Sequence, residues 1–247
     1  MDGASEMNPA GSEAYLTEAE KAEMGALTSD LALQAIDDGD SEKAKAMIHR
    51  LVAETRGIHD SYLLWITAMQ GFIYREMGPE AFLRSQVDSF GQAVAPWVEG
   101  RGAAESFRDR LENYAFMLRT HAMPLKIEED DEKVTLMMDG CGSGARLVQN
   151  GYYDAELGGK GVKVTDAAPF TFGREDFPIY CTHCAIGQMM ALDAGVAPED
   201  FPNATIPAAE IGKDLCKFHM YKVKGGVPAG HIAALRGQPV EAPSAGG

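Results

Sequence analysis

The sequence predicts an α+β protein, in which an N-terminal helical bundle precedes a glycine-rich α+β domain carrying a Cys/His metal site. Apolar residues recur at helical spacing from residue 14 to about 122, and short strand-like runs follow. All four cysteines lie in this later part of the chain. We therefore predict a disordered tail over residues 1–13, a helical domain over 14–122, an α+β domain over 123–235 and a disordered tail over 236–247.

The helical part divides at turn-forming residues. Thr17 and Glu20 have the spacing of a capping box, which predicts a helix start, and Asp37–Asp40 predicts its end. Gly78 and Pro79 predict a later break, because Pro is accepted at the first position of a helix. The predicted helices span 17–36, 41–56, 59–76, 79–93 and 104–121. The third is the most apolar, so we expect it at the centre of the bundle.

The glycine-rich part predicts short elements joined by tight turns. Two strand-like runs, Leu125–Glu128 and Val134–Met138, flank an acidic stretch and predict a β-hairpin. Glycines are dense over residues 139–180, which favours turns and close backbone approach. Further predicted elements are helices over 144–153 and 184–194, an irregular proline-marked connection over 198–207, and a final strand over 214–223.

Composition limits the class of partner. The 247 residues carry a net charge of −15, which argues against nucleic acid and anionic membrane surfaces, because phosphate binding needs clustered Lys and Arg. No apolar run approaches the roughly 20 residues of a membrane span, and the N-terminus lacks the features of a signal peptide. We expect a soluble, cytoplasmic protein with a small-molecule substrate, and a homodimer as the default assembly.

Cysteines and histidines form the chemical signal of this sequence. Cys181-x-x-Cys184 and Cys216-x-x-His219 are two pairs of identical spacing, and Cys141 lies in a glycine loop upstream. In a reducing compartment such cysteines more often bind metal than form disulfides. The six candidate ligands are Cys141, Cys181, His183, Cys184, Cys216 and His219. A tetrahedral zinc site needs four, so the surplus permits either a closed structural site or an open catalytic one.

Several alternatives remain open at this level. The Cys216-x-x-His219 pair suits a turn better than a strand, on which the two side chains would point to opposite faces. The four cysteines could instead hold an iron–sulfur cluster, or one could act as a nucleophile with His183 or His219 as base. They could also pack as buried free thiols. Arg146 is a candidate clamp for a substrate carboxylate, or simply a surface residue that forms an ion pair.

Three stretches give the chain a resemblance to the 2-amino-thiazoline-4-carboxylate hydrolase-like family. The strand leading to Cys141, the stretch around Cys184 and the Gly212-x-x-x-Cys216-x-Phe218 run resemble family motifs, and residues 72–81 resemble its upstream region. The resemblance covers about the last two-thirds of the chain. It implies a small-molecule hydrolase that opens a C–N or C–S ring bond, or a relative with altered chemistry.

The sequence also departs from the family pattern. Gly187 stands three residues after Cys184, where the family typically has Asp, and Cys181 and His183 are additions.

We predict a zinc-dependent hydrolase or lyase acting on a small organic molecule. The metal would be held by Cys141, Cys184 and Cys216, with Cys181 or His183 as the fourth ligand or beside the ligands. His219 or His183 would move the proton. One alternative is a non-catalytic binding or sensor protein with a structural zinc. Another is an iron–sulfur redox protein.

Overall fold

The computed structural model describes residues 16–101, 106–121, 123–138, 140–193 and 203–238. The predicted tail over 1–13 and most of that over 236–247 lie outside these residues. The fold is 57% helical with small antiparallel sheets, which confirms the α+β class. Within the described residues, no helix is long and apolar enough to cross a membrane.

The chain divides into two compact units, residues 1–61 and 62–247. The predicted domain boundary between residues 122 and 123 falls inside the second unit. The first unit contains α1 (Glu18–Gly25), α2 (Thr28–Asp37) and the first part of α3 (Ser41–Arg101).

The predicted single helix over 17–36 is wrong, because it is two helices. The Thr17 hydroxyl accepts the Glu20 N–H and the Glu20 carboxylate accepts the Thr17 N–H, so the capping box is present. Gly25 then ends α1, and Ala26 and Leu27 adopt extended backbone. Apolar residues keep helical spacing on both sides of Gly25. The pattern alone therefore could not show that the low helix propensity of glycine ends the helix at this residue.

Helix α3 contains three helices that the sequence predicted as separate, over residues 41–56, 59–76 and 79–93. The expected break between residues 56 and 59 is absent, because Gly57 continues the helix and nothing lies within 4 Å of the position a Cβ would take. The break at Gly78 is confirmed, since this residue has φ +84° and ψ 172°. Only glycine adopts this backbone region readily. Pro79 then begins the next helical segment.

The second unit also contains a larger and a smaller sheet with their covering helices. In chain order its elements after α3 are α4 (Phe107–Arg119), β1 (Leu125–Glu129), β2 (Lys133–Met138), α5 (Gly144–Gln149), β3 (Lys163–Val164), β4 (Phe177–Pro178), α6 (Thr182–Asp193), β5 (Asn203–Ile206), β6 (Cys216–Tyr221) and α7 (Ala229–Leu235). Two 3-10 helices span Pro169–Thr171 and Ile179–Cys181. The larger sheet has the antiparallel order β1-β2-β6-β5, and β3 pairs with β4.

The predicted hairpin is confirmed. Strands β1 and β2 pair in register, with Leu125 opposite Met138, and the Asp130 carboxylate accepts the N–H groups of Glu132 and Lys133 at the turn. An aspartate that binds the backbone in this way favours a tight turn. Strand β5 falls within the connection expected to be irregular, because a four-residue strand is too short for periodicity to reveal.

The two faces of the larger sheet pack against different helices. One face contacts α4, with a buried cluster of Ala115, Leu118, Leu136, Met138, Phe218 and Met220. A second cluster joins β5 to α6 and α7 through Ala185, Leu192, Ala204, Val227, Ile232 and Leu235. A third centres on Phe82 of α3, which packs with Val164, Phe170, Ile179 and Ile186.

Phe82 should be one of the largest single contributors to stability. It is 0% exposed, and its ring lies 5.8 Å from those of Tyr74 and Phe170. We expect Phe82→Ala to lower the free energy of unfolding by about 3–5 kcal/mol, because it leaves a cavity. Denaturant unfolding followed by circular dichroism measures this change.

Phe116→Ala is the matched control. Phe116 is 54% exposed, so the same truncation should cost less than about 1 kcal/mol. Equal losses in the two variants would contradict the assigned core.

Candidate functional site

All four cysteines converge in the second unit from three separate segments. Cys141 follows β2, Cys181 and Cys184 lie at the start of α6, and Cys216 is the first residue of β6. All four are free thiols. Cys141, Cys181 and Cys216 pack against the same buried cluster of Ala145, Phe177, Ala208 and Ile211, and Cys184 follows Cys181 by less than one helical turn. The four thiols therefore lie in one region of the second unit.

Strand pairing explains how two of these segments meet. Cys216 lies opposite Met138, the last residue of β2, and Cys141 follows only three positions later. Gly144 then allows the third segment to approach, because a Cβ at this position would lie 2.5 Å from Cys181 Sγ. The predicted glycine loop therefore includes Gly144, where the Cys181 Sγ leaves no room for a side chain.

The thiols are partly buried, and this burial opposes their ionisation. Burial raises the pKa of Cys216 to about 11 and that of Cys184 to about 12. It also raises the pKa values of Cys181 and Cys141, whose thiolates would in addition repel one another. Without a cation, these thiols are protonated near neutral pH.

Some groups around the sulfurs favour the thiolate form. Backbone N–H groups from Ser143 to Ala145 point to Cys141, which lowers its pKa against the larger effect of burial. The Ala208 N–H donates to Cys216 Sγ at 3.4 Å. The positive charge of Arg174 lowers the pKa of Cys181 and Cys216. The environment thus provides partial compensation for negative charge on sulfur.

His183 is the histidine that lies beside this cluster. Its Nδ1 is 2.5 Å from the Tyr180 carbonyl oxygen, and its Nε2 is 3.6 Å from Cys184 Sγ. A carbonyl only accepts, so Nδ1 carries the proton and Nε2 presents its lone pair to the thiol. Burial lowers the pKa of His183, which favours this neutral form. The rings of Tyr180 and Phe90 lie 4.7 and 5.7 Å from the imidazole.

His219 lies elsewhere, on the opposite face of the sheet from Cys216. Both residues belong to β6, where positions i and i+3 point to different faces. The His219 Nδ1 and the Thr135 hydroxyl are 2.9 Å apart across the β2–β6 pair. Burial lowers the pKa of His219, and the charges of Lys133 and Lys217 lower it further. The spacing of the Cys-x-x-His pair therefore does not correspond to a shared site.

Arg146 follows Cys141 by five residues, in the helix after the glycine loop. It lies in α5, partly buried, and its backbone N–H donates to the Cys141 carbonyl at 3.1 Å. Its predicted role as a carboxylate clamp stays a prediction.

Sequence reasoning missed Arg174 as a residue of this region. Its guanidinium donates to the carbonyl oxygens of Ala208 and Ala209, each at 2.6 Å, and lies 5.3 Å from the centre of the Phe177 ring. Arg174 therefore holds the Ala208–Ala209 segment in place, and the Ala208 N–H in turn donates to Cys216 Sγ. The acidic neighbours Glu175 and Asp176 made this arginine resemble part of a surface charge run, and no motif distinguished it.

A depression of about 390 Å³ adjoins Arg174. Its lining residues are Phe172, Arg174, Thr205, Ile206, Pro207, Ala209, His231 and Ala234. His231 Nε2 lies 2.8 Å from the side-chain Oε1 of Gln188, and burial lowers the pKa of His231 to about 4, so it is neutral at pH 7. The wall is therefore mainly apolar, with one permanent positive charge.

The side chains as they stand do not form a ready-made metal cage. Throughout the described part of the chain, no group of three or more His, Cys, Asp and Glu side chains is placed to hold an ion. Comparison with known proteins found no matching family model, curated protein or solved structure. Fold and site together define an α+β protein with a convergent four-cysteine cluster, and the family resemblance stays a prediction.

The raised thiol pKa values predict a pH-dependent stability for the metal-free protein. The folded pKa values of Cys184 and Cys216 lie above the ordinary value of 9.0, so the folded state retains protons that the unfolded chain releases. The free energy of unfolding should therefore fall as pH rises above about 9, by up to about 2 kcal/mol per thiol at pH 10.5. Urea unfolding between pH 8 and 10.5 measures the decline.

The double variant Cys184→Ser/Cys216→Ser provides the control, because serine does not titrate in this range. Its stability should decline less steeply over the same pH interval. Parallel curves for the two proteins would contradict the raised pKa values.

Proposed function

We propose that the cysteine cluster binds one zinc ion and that the chain is a zinc-dependent hydrolase or lyase acting on a small organic molecule. The observation that carries the proposal is the convergence of all four cysteines from three segments. Scattered structural cysteines would not need to meet at one place.

The donor set suits zinc in its chemistry. Thiolate sulfur and imidazole nitrogen are the ligands that zinc prefers, and binding displaces the thiol protons that burial otherwise retains. The ligands would be Cys141, Cys184 and Cys216, with Cys181 or His183 as the fourth ligand of a closed site, or with the fourth position open and His183 beside it. Because the described side chains form no ready-made cage, binding requires the thiols to rotate about their Cα–Cβ bonds, for which three staggered positions exist.

His183 supports the catalytic form of the proposal. There are five soft donors for four positions, so one group can remain outside the coordination sphere. When bound, an ion with an open position would supply Lewis-acid polarisation or lower the pKa of a bound water. The neutral His183, with its Nε2 lone pair directed to the cluster, would accept a proton there. His219 is less suited to this role because it lies on the other sheet face.

Arg174 supports an anionic substrate. The guanidinium has five N–H groups, and two are used by Ala208 and Ala209, so others remain for a ligand. Among the described residues that line its depression there is no carboxylate, and the apolar walls would accept the rest of a small organic acid. The family resemblance points to C–N or C–S ring opening. Gly187 departs from that pattern, and a Cβ there would lie 3.3 Å from Phe90, so altered chemistry is part of the proposal.

The second candidate is a non-catalytic binding or sensor protein with a structural zinc. Four cysteines in one neighbourhood favour it, because four thiolates close the tetrahedron and make zinc a weaker Lewis acid. The same four cysteines suit an iron–sulfur redox protein as the third candidate. A reducing, cytoplasmic compartment suits all three, since the thiols are unpaired.

We expect the purified protein to contain about one zinc ion per chain, and each of Cys141→Ser, Cys184→Ser and Cys216→Ser to weaken zinc binding more than about 100-fold. Loss of a mere hydrogen-bond partner of a ligand already costs about 10–100-fold. Elemental analysis and competition with a chromogenic chelator measure content and affinity.

His219→Ala serves as the control and should retain the metal, because His219 lies away from the cysteines. If the third candidate is correct, the purified protein should contain iron instead of zinc and should absorb visible light. A metal-free protein whose stability is unchanged by chelators would contradict all metal proposals.

Metal coordination separates the enzyme from the structural protein. X-ray absorption should show three sulfur ligands and a lighter fourth ligand if the site is catalytic, and four sulfurs, or three sulfurs with the His183 imidazole, if it is structural. With three sulfurs, we expect His183→Ala to keep the metal and to lose about 100- to 10,000-fold in activity, the usual contribution of a proton-transfer group. Ring opening of 2-amino-thiazoline-4-carboxylate is the first reaction to measure.

His219→Ala should retain activity in the same assay. Four sulfurs together with unchanged activity in His183→Ala would contradict the catalytic proposal and leave the structural one.

A further inference from the structure

One stretch of α3 carries no charged side chain. From Ser61 to Tyr74 the chain contains no Asp, Glu, Lys, Arg or His, although 24% of all residues are charged. The stretch covers nearly four turns of helix. A helix that presents one face to water normally carries charged residues there.

The buried face of this stretch is partly polar. Leu63, Thr67 and Gln70 are 5%, 1% and 4% exposed. The Thr67 hydroxyl donates to the Leu63 carbonyl at 2.6 Å, and Gln70 Nε2 donates to Gln86 Oε1 at 2.7 Å. The side of the helix that packs in the second unit therefore includes a buried glutamine pair.

The exposed face is apolar and aromatic. Tyr62, Trp65, Met69 and Phe72 are 52%, 61%, 51% and 57% exposed, and Ile66 is 46% exposed. The first four follow the spacing 3, 4, 3, which is that of the contact positions in a coiled coil. The rings of Tyr62 and Trp65 stack with their centres 6.1 Å apart. Polarity is thus reversed relative to an ordinary surface helix.

We propose that this face, defined as Tyr62, Trp65, Ile66, Met69 and Phe72, is the contact surface between two copies of the chain. Two molecules that each carry a net charge of −15 repel, so they associate best through a surface free of charge. A two-fold axis brings the same patch of both copies together, and coiled-coil spacing suits a helix that pairs with its own copy.

The size of the face fits a dimer. Five large side chains that are each about half exposed offer roughly 500 Å². A standard interface buries about 800 Å² per partner. Met77, which is 63% exposed, follows Ile66 by three helical turns on the same side of the helix and adds to this apolar area.

Trp65→Lys tests the proposal in the intact chain. We expect the unsubstituted protein to sediment as a dimer at micromolar concentration, and the variant to dissociate with a dissociation constant raised at least about 30-fold, as for a central aromatic residue of an interface. Sedimentation velocity across a dilution series measures both. Circular dichroism should show equal helix content, because Trp65 contributes mainly exposed surface.

Leu157→Lys is the matched control, since Leu157 is 75% exposed but lies outside this helix. It should sediment like the unsubstituted protein. A monomer at every concentration, or a dimer that Trp65→Lys leaves intact, would overturn the proposal.

Tryptophan fluorescence locates the interface. The chain has two tryptophans, so Trp97→Phe leaves Trp65 as the only reporter. Its emission should shift to longer wavelength on dilution, over the concentrations at which the dimer dissociates. Emission that stays blue at all dilutions would mean that the chain covers its own face. A blue shift produced only by phosphatidylcholine vesicles would mean a membrane surface. Either result would overturn the dimer.

Discussion

The antiparallel pairing of β2 with β6 is the constraint on which the cysteine cluster depends. It places Cys216 opposite Met138, so the chain that leaves β2 reaches Cys141 beside the start of β6. The same register places His219 opposite Thr135, on the face turned away from Cys216. One set of backbone hydrogen bonds therefore brings Cys141 and Cys216 together and separates Cys216 from His219, only three residues away.

The surroundings of the cluster balance two opposing effects. Burial favours neutral thiols, whereas backbone N–H groups and the Arg174 charge favour thiolates. Removing this arginine would remove a positive charge and would also release the carbonyls of Ala208 and Ala209, to which its guanidinium donates. A bound cation would shift the balance fully to thiolate, which couples metal binding to folding. That coupling applies equally to the catalytic and the structural forms of the proposed site.

Helix α3 connects the site to the proposed dimer surface through its two segments in the second unit. Before Gly78 it presents the aromatic face that contains Trp65. After Gly78 it supplies Phe82 to the core and places Phe90 against the His183 ring. The glycine at the kink, with its positive φ, sets the direction of the second segment relative to the first. Positioning of the His183 ring thus depends on the same helix that carries the proposed dimer surface.

Several features followed from local rules that the sequence displays directly. The α+β class, the Thr17–Glu20 capping box, the break at Gly78 and the β1–β2 hairpin each rest on residues close together in the chain. The limits of the same rules appear at Gly25, which ends a helix, and Gly57, which does not. Local propensity is a small free-energy term that neighbouring packing can reverse.

The sequence by itself determined that Cys141, Cys181, His183, Cys184, Cys216 and His219 are the candidate soft donors, and that a reducing compartment would leave the cysteines unpaired. Only the tertiary structure decided that all four thiols converge, that His183 joins them and His219 does not, and that Arg174 faces the same place. Those outcomes depend on strand register and on contacts between residues far apart in sequence. A three-residue spacing carries no information about either. The two side chains can point to the same side in a turn, whereas they point to opposite faces on a strand.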